Sequence, residues 1–322
     1  MSPPAVRIFN QSEIQSGSGL TAAALACIEN AFSALAEGRV IMPPPLGMHI
    51  DDLQGEVHVK TAYIRGTAGF AVKVATGFYG NSKLGLPNSS GLILYLDAQT
   101  GFVKAIFADN GYLTDLRTAL AGAIAAKYLA RTQIETVGIV GTGIQARWQL
   151  EALTLVRKFR QVIVFGRSAD SADAYIREMK SKVDSTFSKA ASVSALVKAS
   201  DLVVTATTAR ESLIKVDDLH PGLHITAIGS DGPGKHELDP AVVEKADVIV
   251  CDSYEQCRRL GELQTATIDR NRVIELGEVT SGRKTARSSD HQLSVCDLTG
   301  TGVQDSAIAD FTYQALAGSR KT

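Results

Sequence analysis

The stretch TVGIVGTGIQARWQL sets Gly141, Thr142, Gly143, Ile144, Gln145 and Ala146 between an apolar run and a helix-spaced segment. The spacing is G-x-G-x-x-A, and the chemistry it suits is holding a pyrophosphate. The first glycine permits a tight turn, and the second lets backbone approach the phosphates. The small third residue lets helix and strand pack, and the helix N-terminus faces the negative charge. The motif alone is weak, and a plain turn is the alternative. Here it follows an apolar strand and opens a long helix, which is the context a dinucleotide site requires. The second strand of such a site commonly ends in an acid that holds a ribose 2′-hydroxyl. This chain reads QVIVFGRSADS, with Gly166, Arg167 and Ser168 at that point and no acid. An arginine can pair with a 2′-phosphate and stack on adenine. NADP(H) is therefore favoured; NAD(H) remains possible if Arg167 is only a solvated side chain.

The elements that must position these residues fall into two patterns. Residues 20–37, LTAAALACIENAFSALAE, have helical apolar spacing, with Gly38 as a natural residue just past the C-terminus. From Glu56 to Asp109 the runs EVHVKTAYI, GFAVKVATGF, GLILYLD and FVKAIFAD read as strands of an antiparallel sheet. LTDLRTALAGAIAAKYLA, residues 113–130, is an alanine-rich helix. Beyond it short apolar strands (ETVGIVG, QVIVFG, DLVVTAT, LHITAIGS, DVIVCDS) alternate with helical stretches, and SVCDLTGTGVQDSAIADFTYQALAG closes the chain as strand, turn and helix. That alternation predicts a doubly wound parallel sheet. The fold class is α/β: a Rossmann-type parallel sheet plus an α+β domain with a largely antiparallel sheet.

Composition sets the limits. The chain has 322 residues, 45% hydrophobic and 21% charged, with net charge −1, which suits two domains of a globular protein. No basic excess suggests nucleic acid as a partner, and no apolar run suggests a membrane span. The N-terminal MSPPAVRIFNQSEI lacks the apolar core of a signal peptide, so a cytoplasmic location is expected. The cysteines at 27, 251, 257 and 296 form no C-x-x-C pair; of the six histidines His220 and His224 stand four apart, but across Pro221-Gly222 rather than on a helix, and no H-E-x-x-H occurs. Buried reduced thiols and no metal site are expected.

Several stretches together resemble the ornithine cyclodeaminase/μ-crystallin family: FAVKVATGF around Lys73, LTDLRTALAGAIAAKYLA around Arg117, VGIVGTGIQA, ITAIGSDGPGKHELDP around Asp231, and DLTGTGVQD. GEVHVKTAYI and GSDGPGKHELDP are most similar to its ectoine-utilisation branch and iminosuccinate-reductase-like relatives. The resemblance implies a homodimer. It implies a substrate-binding and dimerisation domain over residues 1–130, with 303–322 returning to it, and a cofactor domain over 131–302. It further implies that Lys73 and Arg117 hold a substrate carboxylate and that Thr118 touches the cofactor phosphates. Thr205, Thr207 and Gly302 would join the cofactor contacts, and Asp231 would be the acid/base beside the nicotinamide. Each role has a plainer alternative. Lys73 could reach out at a strand edge, Arg117 could pair with Asp115 or Asp109, and Asp231 could cap its turn. Lys235 and His236 share the Asp231 loop.

The family divides by chemistry. Its cyclodeaminases carry a Glu thirteen residues before the strand lysine, where it receives the distal ammonium of a diamino acid. Here that residue is Lys60. An ammonium there repels a cationic side chain and favours an anionic one. The expected activity is NAD(P)H-dependent reduction of a small 2-imino carboxylic acid, mono- or dicarboxylic, or the reverse amino-acid oxidation. Lys73, Lys60 and Arg117 would bind carboxylates, and Asp231 would assist protonation of nitrogen. Lys60 could instead point to the outer sheet face. An ammonia-releasing cyclodeaminase and a non-catalytic, crystallin-like NADPH binder are the rival functions. Many members carry an Arg after the proline-rich segment near 43–49, where this chain reads MPPPLGMHI with Gly47.

Overall fold

A computed structural model describes residues 4–318; residues 319–322, the end of the returning segment, lie outside it. In chain order the first elements are β1 (Arg7–Asn10), α1 (Gln11–Gly17), α2 (Ala22–Ala36), β2 (Val40–Ile41), β3 (Leu46–Ile50), β4 (Gly55–Ile64), β5 (Gly69–Phe78), β6 (Ser89–Asp97), β7 (Val103–Ala108) and α3 (Tyr112–Leu129). Next come β8 (Thr136–Val140), α4 (Ile144–Leu153), β9 (Gln161–Phe165), α5 (Ala169–Met179), β10 (Thr186–Lys189), α6 (Val193–Lys198) and β11 (Leu202–Thr205). Last are β12 (His224–Ala227), α7 (Pro240–Lys245), β13 (Val248–Cys251), α8 (Tyr254–Leu260), β14 (Val273–Glu275), α9 (Leu276–Thr280), β15 (Ser294–Asp297) and α10 (Gly302–Gly318).

Two compact units result, one from residues up to Arg117 with those from Thr301 onward, the other from Thr118–Gly300. The first division falls within α3 rather than after residue 130, and the return begins at Thr301 rather than 303.

In the first unit the strands run in the order β1-β7-β6-β5-β4-β2, with β3 also on β4. Every pairing is antiparallel except β1 on β7. Side chains alternate across the pleat. Ala71, Lys73, Ile93, Tyr95, Ala105 and Phe107 are buried on one face, while Val72, Val74, Leu92, Leu94 and Ile106 on the other stay at least partly open. α10 packs on β4, β5 and α2. Gly302 explains how closely it can approach, because a Cβ there would lie 2.5 Å from the Thr61 carbonyl oxygen. Ser306 fixes the register: its hydroxyl donates to the Ala62 carbonyl at 2.5 Å and accepts from the Ala71 amide at 3.0 Å.

The second unit is a parallel sheet in the order β10-β9-β8-β11-β12-β15-β13-β14. Its central strands are buried on both faces, hence their largely apolar runs, with His224, Thr226, Ser294 and Asp297 among the buried polar exceptions. Ala126, Leu150 and Tyr175 pack against one face, and Leu196, Val242 and Cys257 against the other. The order reverses between β8 and β11, and open α/β sheets bind ligands outside the carboxyl ends of strands at such a point. Edge strands β10 and β14 did not stand out in the sequence because TFSK and VIE are short, and TFSK is polar at every position but Phe187. No single helix among the described residues is long and apolar enough to cross a membrane.

Candidate active site

In the first unit three cations converge on one carboxylate. Lys73 Nζ lies 3.0 Å from each oxygen of Asp305, and Arg117 Nε lies 2.9 Å from Oδ1. Lys60 stands directly opposite Lys73 in the β4–β5 ladder. Directly opposed residues of an antiparallel pair share a face, so Lys60 points to the same side as Lys73. The offset of thirteen is odd, yet the chain reverses between the strands and pairs 60 with 73, 61 with 72 and 62 with 71. Both lysines are buried, at 8% and 2% exposure. Lys73 therefore does not reach out at a strand edge, and Lys60 does not face outward. Arg117 pairs with neither Asp115 nor Asp109: Asp109 accepts the amide of Leu113 at 2.8 Å at the start of α3.

Burial, then the neighbouring Arg117 guanidinium, push the Lys73 ammonium down to about 7, with Lys60 adding to the effect and Asp305 opposing it. Burial alone would raise the Asp305 carboxyl, but Lys73, Arg117 and Lys60 together bring it below its ordinary value. Asp305 escaped the sequence reading. Its only signal is an acid in the first turn of the closing helix, three residues after the Gly302 contact.

In the second unit the glycine loop follows β8. Gly141 has φ +113°, and a Cβ there would fall 2.5 Å from the Ala206 carbonyl oxygen, just past β11. The two loops that diverge at the switch point therefore lie against each other, and only glycine fits. Gly143 caps α4 in an extended conformation, and a Cβ on it would meet no protein atom within 4 Å. That open side at a helix N-terminus fits an incoming pyrophosphate. Ile144 and Thr142 flank it, Gln145 follows half-buried, and Ala146 is fully buried beneath. Gly166 lies where a Cβ would come 2.8 Å from the Thr142 methyl, so the end of β9 abuts the loop. Arg167 next to it is exposed, and Ser168 caps α5 by accepting the Ser171 amide. Thr118 opens the second unit, its carbonyl held by the Gln149 side-chain amide at 3.0 Å.

Arg147 was not singled out from sequence, yet it braces this loop. Its Nη1 donates to the carbonyls of Thr142 and Gly143, its Nε to Glu178 at 2.7 Å, and its guanidinium lies 5.2 Å from the Tyr175 ring centroid. Arg147→Met is expected to raise the Km for the dinucleotide about tenfold, the worth of one charge-assisted hydrogen-bond set, with kcat changed little. Steady-state kinetics with the cofactor varied check this; an unchanged cofactor Km removes the brace.

Asp231 sits past β12, half-exposed, its carboxylate 2.9 Å from the buried Lys235 ammonium. Gln264 ties that loop down, donating to the Lys235 carbonyl at 2.8 Å and accepting the Gly234 amide at 2.9 Å. Buried Glu237 joins the loops after β11 and β12. It accepts the Thr205 hydroxyl at 2.6 Å and the amides of Thr207 and Gly229 at 2.7 and 2.9 Å. The Thr205 hydroxyl is thus committed beneath the loop, while Thr207 is only half-buried. Gly302 belongs to the first unit, where its contact is the β4 backbone. Among the described residues no group of His, Cys, Asp and Glu is arranged to hold a metal.

The model of the ornithine cyclodeaminase/mu-crystallin family matches residues 6–320. An uncharacterised cyclodeaminase, y4tK, of Sinorhizobium fredii is 44% identical over 317 residues, 97% of this chain and 96% of the relative. The solved structure of Thermococcus litoralis Δ1-pyrroline-2-carboxylate reductase with NADH and L-proline has a TM-score of 0.92 at 28% identity, covering 97% of this chain and 98% of that one. An archaeal alanine dehydrogenase dimer with bound NAD has a TM-score of 0.90 at 33% identity, covering 98% and 97%.

Proposed function

The chain belongs to the ornithine cyclodeaminase/mu-crystallin family, and within it we propose an NAD(P)H-dependent reductase that adds hydride to the C=N bond of a small 2-imino carboxylic acid, or runs the reverse amino-acid oxidation. The observation that carries this reading is the buried Lys60 beside Lys73 on one sheet face. A cyclodeaminase must receive a distal ammonium at that point, and two lysines repel one.

Lys73 and Arg117 bind the substrate α-carboxylate, already oriented by Asp305, and Lys60 faces the substrate side chain. Gly141, Thr142, Gly143, Ile144, Gln145 and Ala146 hold the dinucleotide, with Thr118, Thr207 and Ser168 near the phosphates and Thr205 supporting from below. When bound, the reduced nicotinamide supplies the hydride. The imine nitrogen, which would gain the C=N π pair as its carbon is reduced, needs a proton. Asp231 assists that protonation, and Lys235 orients its carboxylate. Arg167 in place of an acid supports NADP(H) over NAD(H); the two solved relatives hold NAD or NADH. The open apolar face of Val72, Val74, Leu92 and Leu94 supports a homodimer, for which sedimentation should give twice the chain mass.

The test is cofactor oxidation by the purified protein with ammonium and a panel of 2-keto acids and cyclic imino acids, NADPH and NADH in parallel. Oxidation with one imine is the expected result. Ammonia release from a diamino acid with catalytic NAD and no net oxidation would make the protein a cyclodeaminase. Cofactor binding without any turnover would leave the crystallin-like reading.

A further inference from the structure

The reductase reading accounts for Lys60 and Lys73 but not for what lies next to them on the same face. Residues on one face of a strand recur every second position, so Glu56 and His58 share the face of Lys60 on β4. Their partners across the ladder on β5 are small: His58 opposes Ala75 and Glu56 opposes Gly77. On the other side β3 sets Gly47 opposite His58. The strip leading away from the two lysines thus has a floor of Ala75, Gly77 and Gly47, with the His58 ring standing over it and the His49 ring edge-on to it, centroids 6.3 Å apart. At the other end of the strands α10 packs down, its Ser306 bonding to Ala62 and Ala71.

The His58 ring is held without being satisfied. Its Nε2 is buried and makes no hydrogen bond among the described residues. The acid nearest to it, Glu56, is 3.7 Å away, beyond hydrogen-bond reach. Glu56 is fixed from behind by the Tyr79 hydroxyl, which donates to Oε1 at 2.5 Å. The other edge of the ring faces Gly47, whose Cβ, if it had one, would lie 3.6 Å from Nδ1. A buried polar atom without a partner calls for an explanation, and catalytic and binding hydrogen bonds often close only when substrate arrives.

We infer that His58 is a specificity-determining residue of the substrate site, the donor that recognises an acceptor group, a second carboxylate, at the far end of the imino acid's side chain. This rests on the reductase reading for its substrate. The chemistry is direct. Glu56 stands by Nε2, the Nδ1 edge faces the space beside Gly47, and an imidazole N–H can donate there. Two positions along a strand span about 7 Å, so a short diacid held at one end by Lys73 and Arg117 has its other end between Lys60 and His58. Gly47, without a side chain, leaves that end open. A monocarboxylic imino acid leaves the strip empty and gains nothing from His58.

The experiment compares wild type with His58→Phe and His58→Gln. Two readouts are taken: kcat/Km with oxaloacetate plus ammonium against pyruvate plus ammonium, and calorimetric affinity for L-aspartate against L-alanine with NAD+ or NADP+ present. His58→Phe should lower the dicarboxylate-to-monocarboxylate ratio about tenfold in both readouts, the range for one hydrogen bond to a charged group, with the monocarboxylate values little changed. His58→Gln, still a donor, should recover part of it. An unchanged ratio, or equal loss for both substrates, overturns the inference. Wild-type protein that reduces no imine overturns the reductase reading instead, and the calorimetric ratio still decides the role of His58.

Discussion

Lys73→Met is expected to lower kcat/Km for the imino acid by about 10²- to 10³-fold, because truncating one partner of a buried charge pair costs about 2–5 kcal/mol. Folding should survive the change. Methionine fills much of the same volume, and Asp305 keeps Arg117 at 2.9 Å. Wild-type protein should also show a pH signature that the variant lacks. The buried Lys73 ammonium is held down to about 7 by burial and Arg117. A carboxylate needs the charged form, so its binding is complete below pH 7 and is lost as pH rises through that value. Km for the imino acid should be flat below neutrality and climb about tenfold per pH unit above it, the slope of a single required proton. Lys73→Arg, whose guanidinium stays charged throughout, should flatten the profile even if its geometry lowers activity. A Km that rises equally in wild type and Lys73→Arg would place the titration elsewhere.

The sequence shows the two sides of this chemistry unevenly. The glycine loop was legible because its residue types answer to purely local demands. Gly141 must adopt a positive φ against the Ala206 carbonyl, Gly143 must leave room, and Ala146 must pack, all within one turn of chain. The doubly wound sheet was legible for a similar reason, since strands buried on both faces are largely apolar. The first unit's cradle was only half legible. Lys73, Arg117 and Lys60 announce themselves as charges among apolar neighbours, but the residue that gathers them lies 188 positions beyond Arg117. No local pattern connects Asp305 to β5. The connection comes from α10 returning to the sheet, which Gly302 allows by sitting on the Thr61 backbone. His58 was invisible for another reason. Its meaning depends on the β3 register, which sets Gly47 opposite it, and register is a property of pairing that a single strand does not carry.

Lys60→Glu is expected to do more than abolish an interaction; it should reverse the substrate charge the site accepts. The ladder pairs residue 60 with Lys73 on the inner face. A carboxylate there would stand by Lys73 and Arg117 as a second acid besides Asp305, competing for the cations that bind substrate. At an effective dielectric of about 20, unit charges 4 Å apart interact by about 4 kcal/mol. Exchanging attraction for repulsion at the far carboxylate should therefore lower kcat/Km for a 2-iminodicarboxylate by at least about 10³-fold. Lys60→Met, which only deletes the charge, should lose a smaller factor, about tenfold to 10²-fold. A monocarboxylic imino acid should be hurt less by either change, and the Glu variant should gain calorimetric affinity for a diamino acid such as ornithine, whose distal ammonium now meets an acid. The order among the three proteins is the test. If Met and Glu at position 60 lower dicarboxylate turnover equally, and neither gains affinity for a diamino acid, Lys60 contributes packing rather than charge. The case against a cyclodeaminase then loses its main physical support.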